Sequence, residues 1–231
     1  MKTMDNILKI KRNLKNEWIQ GFPELSAFGQ DKFYKIVGCL VVGIEAVNIP
    51  NIKGYKPHFV IYPLWKRSIK ECLNIPSIYL CINKSNGLQY SIPYLKHSDL
   101  VLGAISCARN QIPLSFIGDI KLSSLLTFTE SIFSDPLIKS NSAEQAKLFE
   151  LKIYMSLYLS NQGIIRNILS EIQKVRENWN MRLFEIRYGN YDIWFNKMLE
   201  VSSNREAIIS QIEINKEDRK IKPLVLSEII E

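Results

Sequence analysis

Between Phe33 and Trp65 the chain reads FYKIVGCLVVGIEAVNIPNIKGYKPHFVIYPLW, and from Ile36 to Val47 nearly every residue is apolar or glycine. A run of this kind, lacking strict alternation, needs cover on both faces, as a central strand receives. Gly38 and Gly43 weigh against a helix over the same residues. Pro50, Gly54 and Pro57 interrupt the run. It then resumes from His58 to Trp65 with β-branched and aromatic residues, so an interior strand over Val37 to Val47 and a second strand beyond the loop are expected.

A chain of 231 residues that is 46% hydrophobic supplies enough apolar surface for a sizeable core, and disorder is not expected. The opening MKTMDNILKIKRNLKNEW lacks the apolar centre of a signal peptide, and no stretch reaches roughly 18 apolar residues. A cytoplasmic protein without a membrane partner is the expectation. Cys39, Cys72, Cys81 and Cys107 form no CxxC pair, and Cys39 and Cys81 sit in apolar runs where a thiol serves as a small core residue. With His58 and His97 the only histidines, zinc ligands would have to come from unrelated segments. No metal and no cofactor is expected.

The order of elements points to α+β. A first helix is expected from a cap at Asp5, with Ile7, Ile10, Leu14 and Trp18 as its inward stripe. After the central strands come a short helix near Lys66 to Leu73 and a hairpin from Ile78 to Ile92, whose loop ends in Asn86-Gly87. A helix capped by Ser98 follows. Beyond Ile120 the pattern turns helical, at Leu122 to Phe133, Ala143 to Ser160, Ile164 to Asn180, Tyr191 to Val201 and Asn204 to Asn215. Ser142 with Gln145, and Ser203 with Glu206, fit capping boxes, and Asn161 to Gly163 reads as a helix end. Ile165, Ile168, Ile172, Val175 and Trp179 form a seam for one neighbouring helix. The expected organisation is a small, mainly antiparallel sheet with flanking helices in residues 1–120, a helical part in 121–215, and a charged link with an apolar docking peptide in 216–231.

Catalytic patterns are sparse. Asp135, Glu150 and Lys152 share residue types with metal-dependent nucleases, but Glu150 and Lys152 fall within a helix, where residues two apart do not share a face. Asp119 and Lys121 form a similar pair without a second carboxylate. There is no GxSxG elbow, no GxxxxGK[ST] loop and no GxGxxG, so no catalytic residue is assigned.

Binding patterns are richer. The net charge of +7 permits attraction to a nucleic acid, an anionic membrane surface or an acidic protein. Candidate nucleic-acid contacts are Lys9, Lys11, Arg12 and Lys15 on the first helix, with Lys56, Lys66 and Arg67 near Tyr34, Tyr55 and Tyr62. The stretch holding Trp179, Arg182, Phe184, Arg187 and Tyr188 is another candidate. Leu224, Val225, Leu226, Ile229 and Ile230 follow a hydrophilic tether that includes Lys216, and are expected to dock on this chain or on a partner.

The layout of a leading amphipathic helix, a small sheet and a helical remainder looks like that of small bacterial partner proteins, among them toxin-neutralising immunity proteins and accessory subunits of defence systems. That resemblance implies a non-catalytic protein that binds another protein. Nucleic-acid binding is the alternative expectation, and a metal-dependent nuclease or other hydrolase the third.

Overall fold

The computed structural model describes the backbone of residues 2–231 and the side chains of residue 10 and residues 13–231. The candidate contacts Lys9, Lys11 and Arg12 therefore lie outside the described residues. The chain runs α1 (Lys2–Gly21), β1 (Ser26–Ala27), β2 (Lys32–Val37), β3 (Leu40–Ile49), β4 (Gly54–Pro63), α2 (Ile69–Cys72), β5 (Ile78–Cys81), β6 (Ile92–Pro93) and α3 (His97–Gln111). It continues through β7 (Ile120–Lys121), α4 (Leu122–Phe133), α5 (Pro136–Lys139), α6 (Ser142–Tyr158), α7 (Gln162–Val175), α8 (Met181–Tyr188), α9 (Tyr191–Ser203), α10 (Arg205–Lys216), β8 (Val225–Ser227) and β9 (Ile229–Ile230). The fold is α+β, with an antiparallel sheet and helices in the N-terminal half and a mostly helical C-terminal half. No helix among the described residues is long and apolar enough to cross a membrane.

Two compact units emerge. The first comprises Met1–Tyr62, Ile78–Asp119 and Asp218–Glu228, and the second Pro63–Ser77, Ile120–Glu217 and Ile229–Glu231. Residues 63–77, which precede position 120 in sequence, thus belong with the helices.

In the first unit the apolar run is a hairpin, which corrects the reading of Val37 to Val47 as one strand. β2 and β3 pair antiparallel with Val37 opposite Leu40, leaving Gly38 and Cys39 as a two-residue turn. Gly38 has φ +53°, as the first turn position of a type II′ hairpin requires. A contiguous apolar stretch conceals such a turn because its second residue, Cys39, is itself fully buried. Gly43 has a different reason: a Cβ there would lie 1.9 Å from the carbonyl oxygen of Phe33 on the paired strand. The sheet order is β1-β2-β3-β4-β5, with β6 also on β4 and β8 on β2.

Both faces of the hairpin are covered, as expected. On one, Trp18 of α1 stacks on Phe33 and meets Tyr55 edge-on. On the other, Glu45 accepts hydrogen bonds from Tyr34 and, at 2.8 Å, from Tyr62, and pairs with Lys32 at 3.1 Å.

The expected hairpin from Ile78 to Ile92 forms only in part. β5 pairs with β4, while the return segment keeps a bridge between Asn83 and Gln89, and β6 joins the other end of β4. Further corrections concern helix ends. α1 begins at Lys2, upstream of Asp5, and α3 begins at His97 after a 3-10 turn, so Ser98 is not its cap. Asn141 rather than Ser142 caps α6, Asn161 starts α7 rather than ending α6, and Asn204 rather than Ser203 precedes α10. Asn180 and Asn190 cap α8 and α9. An asparagine oxygen serves the free amide hydrogens of a first turn as well as serine does, and side-chain reach decides between neighbours.

The second unit is organised by α6. Its positions are buried nearly all round, the pattern of a central helix. Phe149, Ile153 and Leu157 of α6 join Ile165, Ile168 and Ile172 of α7, Phe184 of α8, and Trp194 and Met198 of α9 in one core. The seam ends where α7 gives way at Val175 to a 3-10 turn, yet Trp179 remains in that core. The final turn of α6 is closed by Arg205, which donates to the carbonyls of Leu157 and Tyr158 at 2.9 and 2.6 Å.

The C-terminal peptide docks by strand addition. In the first unit β8 runs parallel to β2, with Ile36 opposite Leu226, and Leu224 is buried. In the second, β9 runs parallel to β7 and Ile229 is buried. Val225, Leu226 and Ile230 keep their side chains exposed. The tether is less hydrophilic than its composition suggests, since Lys216 is buried and its amine reaches the Tyr158 hydroxyl at 3.3 Å.

Two outcomes follow. Val41 is fully buried in β3, so Val41→Asp should destabilise the protein by several kcal/mol, about 3 or more, in thermal or urea melts. Deleting residues 224–231 removes two buried aliphatic anchors worth roughly 1.5 to 3 kcal/mol each before the entropy of the tether is subtracted. The truncated chain should melt at a lower temperature, and unchanged melting would mean that the peptide contributes nothing.

Candidate functional site

Residues 63–77 contain little regular structure, so their backbone polar groups need partners from elsewhere. Asn215, buried on α10, supplies them: its amide nitrogen lies 2.7 Å from the carbonyl oxygens of both Leu64 and Lys66 and 3.4 Å from the Cys72 sulfur. Gln211, one turn earlier, donates to the carbonyl of Arg67 at 3.3 Å. Ser68 caps α2 by accepting from the Glu71 amide. Between these ties the Trp65 ring lies flat on Tyr154 of α6, centroids 4.3 Å apart and planes 5° from parallel.

The segment so held forms one wall of a cavity of about 630 Å³ within the second unit. Pro63, Trp65, Lys66, Glu71, Asn74, Ile75 and Ser77 line that wall. Lys147 and Glu150 of α6, Arg187 and Tyr188 of α8, and Ile193, Trp194 and Lys197 of α9 line the rest. This volume lies within the range spanned by small-ligand pockets.

The charges of the cavity fall into two sets. Glu144 pairs with Lys147 and, at 3.0 Å, with Arg187, so these two cations share one carboxylate. Glu150 accepts the Trp194 indole N–H at 2.8 Å. Lys66 and Lys197 are exposed and have no carboxylate partner among the described residues. Beside them Ile75 and Ile193 present apolar side chains that are 55% and 73% exposed. Burial, and after it the Glu150 charge, pushes the Tyr188 hydroxyl well above the usual tyrosine range, so it stays a neutral hydrogen-bonding group in this cavity.

The structure thus brings Lys66 together with Arg187 and Tyr188, which the sequence placed in separate candidate stretches. Arg67 is exposed in the same segment but does not line the cavity. Lys15 is exposed on α1, and Lys56 is tied to Gln89 at 3.0 Å; both belong to the first unit. The aromatic partners proposed for base stacking are enclosed: Tyr34, Tyr55, Tyr62, Trp179 and Phe184 are all buried. Glu71, Ile75, Trp194 and Lys197 were not legible as site residues, because only the fold of the segment carrying Glu71 and Ile75 and the rotation of α9 bring them to one opening.

The catalytic patterns disperse. Asp135 caps α5 through the Leu137 amide at 2.8 Å. The amine of Lys152 is held by Glu130 and, at 3.0 Å, by Glu171, leaving Glu150 to Trp194. Asp119 accepts from the Glu228 amide at 2.8 Å, and Lys121 is an exposed residue of β7. Buried His58 stacks on Tyr79 and bonds the Lys56 carbonyl and Gln89, and burial lowers its pKa. His97 links the Tyr55 hydroxyl, at 3.1 Å, to Glu17, while the Trp18 indole donates to that hydroxyl at 3.1 Å. Contrary to expectation, Cys81 is exposed on β5. No group of three or more His, Cys, Asp or Glu side chains suited to a metal ion occurs among the described residues. No family model, curated protein or solved structure matches this chain.

The Asn215 clamp makes a pH-dependent prediction through Cys72. Burial raises its thiol from 9.0 to about 11, so the folded state disfavours the thiolate. The contribution is intact below pH 9.0 and lost as pH rises through about 11, because the unfolded chain releases that proton first. The stability difference between wild type and Cys72→Ala, read from urea melts, should therefore narrow in favour of the variant across that window. A difference independent of pH would show that the thiol does not titrate as described.

Proposed function

We propose that this chain is a non-catalytic binding protein that acts in the cytoplasm, as an accessory subunit or immunity-type protein does, and that the cavity of the second unit is where it holds a segment of a partner protein. The observation that carries this reading is the meeting of two exposed lysines without ion-pair partners among the described residues, Lys66 and Lys197, with exposed apolar side chains, Ile75 and Ile193, around one opening. An exposed apolar group beside free charge is the usual composition of a protein interface, where apolar anchors supply affinity and the charged rim supplies orientation.

Nucleic-acid binding is the second reading, supported by the meeting of Lys66, Arg187 and Tyr188. Against it stand Glu71 and Glu150 on the cavity wall, which repel a phosphate chain, and the burial of Trp65 and Trp194, which leaves little ring face for a base.

The test is affinity purification of the tagged 231-residue chain from its native cells, with quantified recovery. A partner protein whose recovery falls about tenfold for Ile193→Glu and Lys197→Glu is expected, against no loss for Ile117→Glu, an exposed apolar residue of the first unit. Recovery indifferent to the cavity variants rejects the site. Salt-sensitive recovery of nucleic acid in place of protein moves the second reading to first.

A further inference from the structure

Resting on that reading of the cavity, we infer that its occupant is a short acidic peptide segment with an apolar anchor residue, not a uniformly charged polymer. The argument is one of subtraction. Lys147 and Arg187 share the one carboxylate of Glu144, and Glu150 keeps its charge while accepting the Trp194 indole N–H, so each of these groups already has a partner. Lys66 and Lys197 remain, two exposed cations without an ion-pair partner among the described residues, at an opening that also holds the unpaired carboxylate of Glu71. A ligand that supplies carboxylates to both completes the set at low desolvation cost, since both ammonium groups remain at the exposed rim.

The second half of the specification comes from the walls. Ile75 and Ile193 offer apolar surface, and a cavity of about 630 Å³ admits a few side chains but not a folded domain. An apolar residue seated there gains by leaving water, and carboxylates on either side of it reach the rim. Glu71, which has no cation partner among the described residues, and Glu150, whose partner is the neutral Trp194 indole, penalise negative charge at their own positions. A peptide can leave those two positions uncharged, whereas a phosphate backbone cannot. This separates an acidic peptide from a nucleic acid by chemistry rather than by net charge, which at +7 attracts both.

The experiment uses short fluorescein-labelled peptides of Gly and Ser carrying a central Leu flanked by Glu, read by anisotropy with the full chain. Companion probes replace Glu by Lys, replace Leu by Ser, or substitute a labelled oligothymidylate. The Glu and Leu peptide should bind, with affinity falling as salt rises, and each altered peptide should bind at least about tenfold more weakly. The double variant Lys66→Glu, Lys197→Glu should lose the acidic peptide and gain the Lys-bearing one, a reversal that loss of folding cannot produce. Equal binding of the Glu and Lys peptides, no binding of either, or preference for oligothymidylate overturns the inference. If it fails while partner recovery still depends on Ile193, the cavity remains the binding site with a different occupant; if both fail, the cavity reading falls as well.

Discussion

The side-chain amide of Asn215 does for residues 63–77 what a neighbouring strand does for an edge. Two carbonyl oxygens, those of Leu64 and Lys66, are directed away from any sheet, and a single buried NH2 group satisfies both. Leaving a buried carbonyl unpaired costs roughly 1 to 3 kcal/mol, so without this amide the segment would have to turn its backbone to water. With the amide in place, the segment can present Trp65 inward to Tyr154 and Lys66 outward to the cavity rim. The cavity is therefore a product of tertiary packing rather than of any helix or strand in its wall.

The same economy governs the buried charged groups Glu45, Lys35 and Lys152. Glu45 receives two tyrosine hydroxyls and an ammonium, and Lys35 donates to the carbonyls of Phe116 and Gly118 at 2.9 and 3.1 Å. Lys152 is held between two glutamates over the rings of Phe133 and Phe149. Charges removed from water persist only when paired in this way. In each unit the titratable residues that look most like chemistry are thus committed to structure, while Lys66, Lys197 and Glu71 stay exposed and without an ion-pair partner among the described residues at the cavity. This division between satisfied and unsatisfied charge, more than the net charge of the chain, is what supports a binding role.

Much of the fold can be read from local pattern. The extent of α4, the inward stripe of α1 at Leu14 and Trp18, and the isoleucine seam of α7 all follow from helical periodicity, which depends only on residues a turn apart. The turn at Gly38 and Cys39 is hidden because a buried thiol looks the same in a strand and in a tight turn. Helix caps misread by one residue share a cause: Ser142 and Asn141 are both competent, and the fold uses Ser142 to reach the Asn180 carbonyl instead. The cavity was legible only as scattered fragments. Lys66, Arg187 and Tyr188 stand out as basic or aromatic, but no rule of spacing joins position 66 to position 187. Their meeting depends on Asn215, whose role leaves no mark in a sequence where asparagine is common.

The most direct test of the cavity as the working surface uses its own tryptophans. The chain has four, and Trp65 and Trp194 line the cavity while Trp18 and Trp179 do not. In a 1H-15N spectrum each indole N–H gives one resolvable signal. Titration with the acidic, leucine-bearing peptide should move the Trp65 and Trp194 signals along a saturating curve and leave those of Trp18 and Trp179 in place. Movement of Trp18 or Trp179 instead, or of none of the four while the peptide binds, would contradict the account.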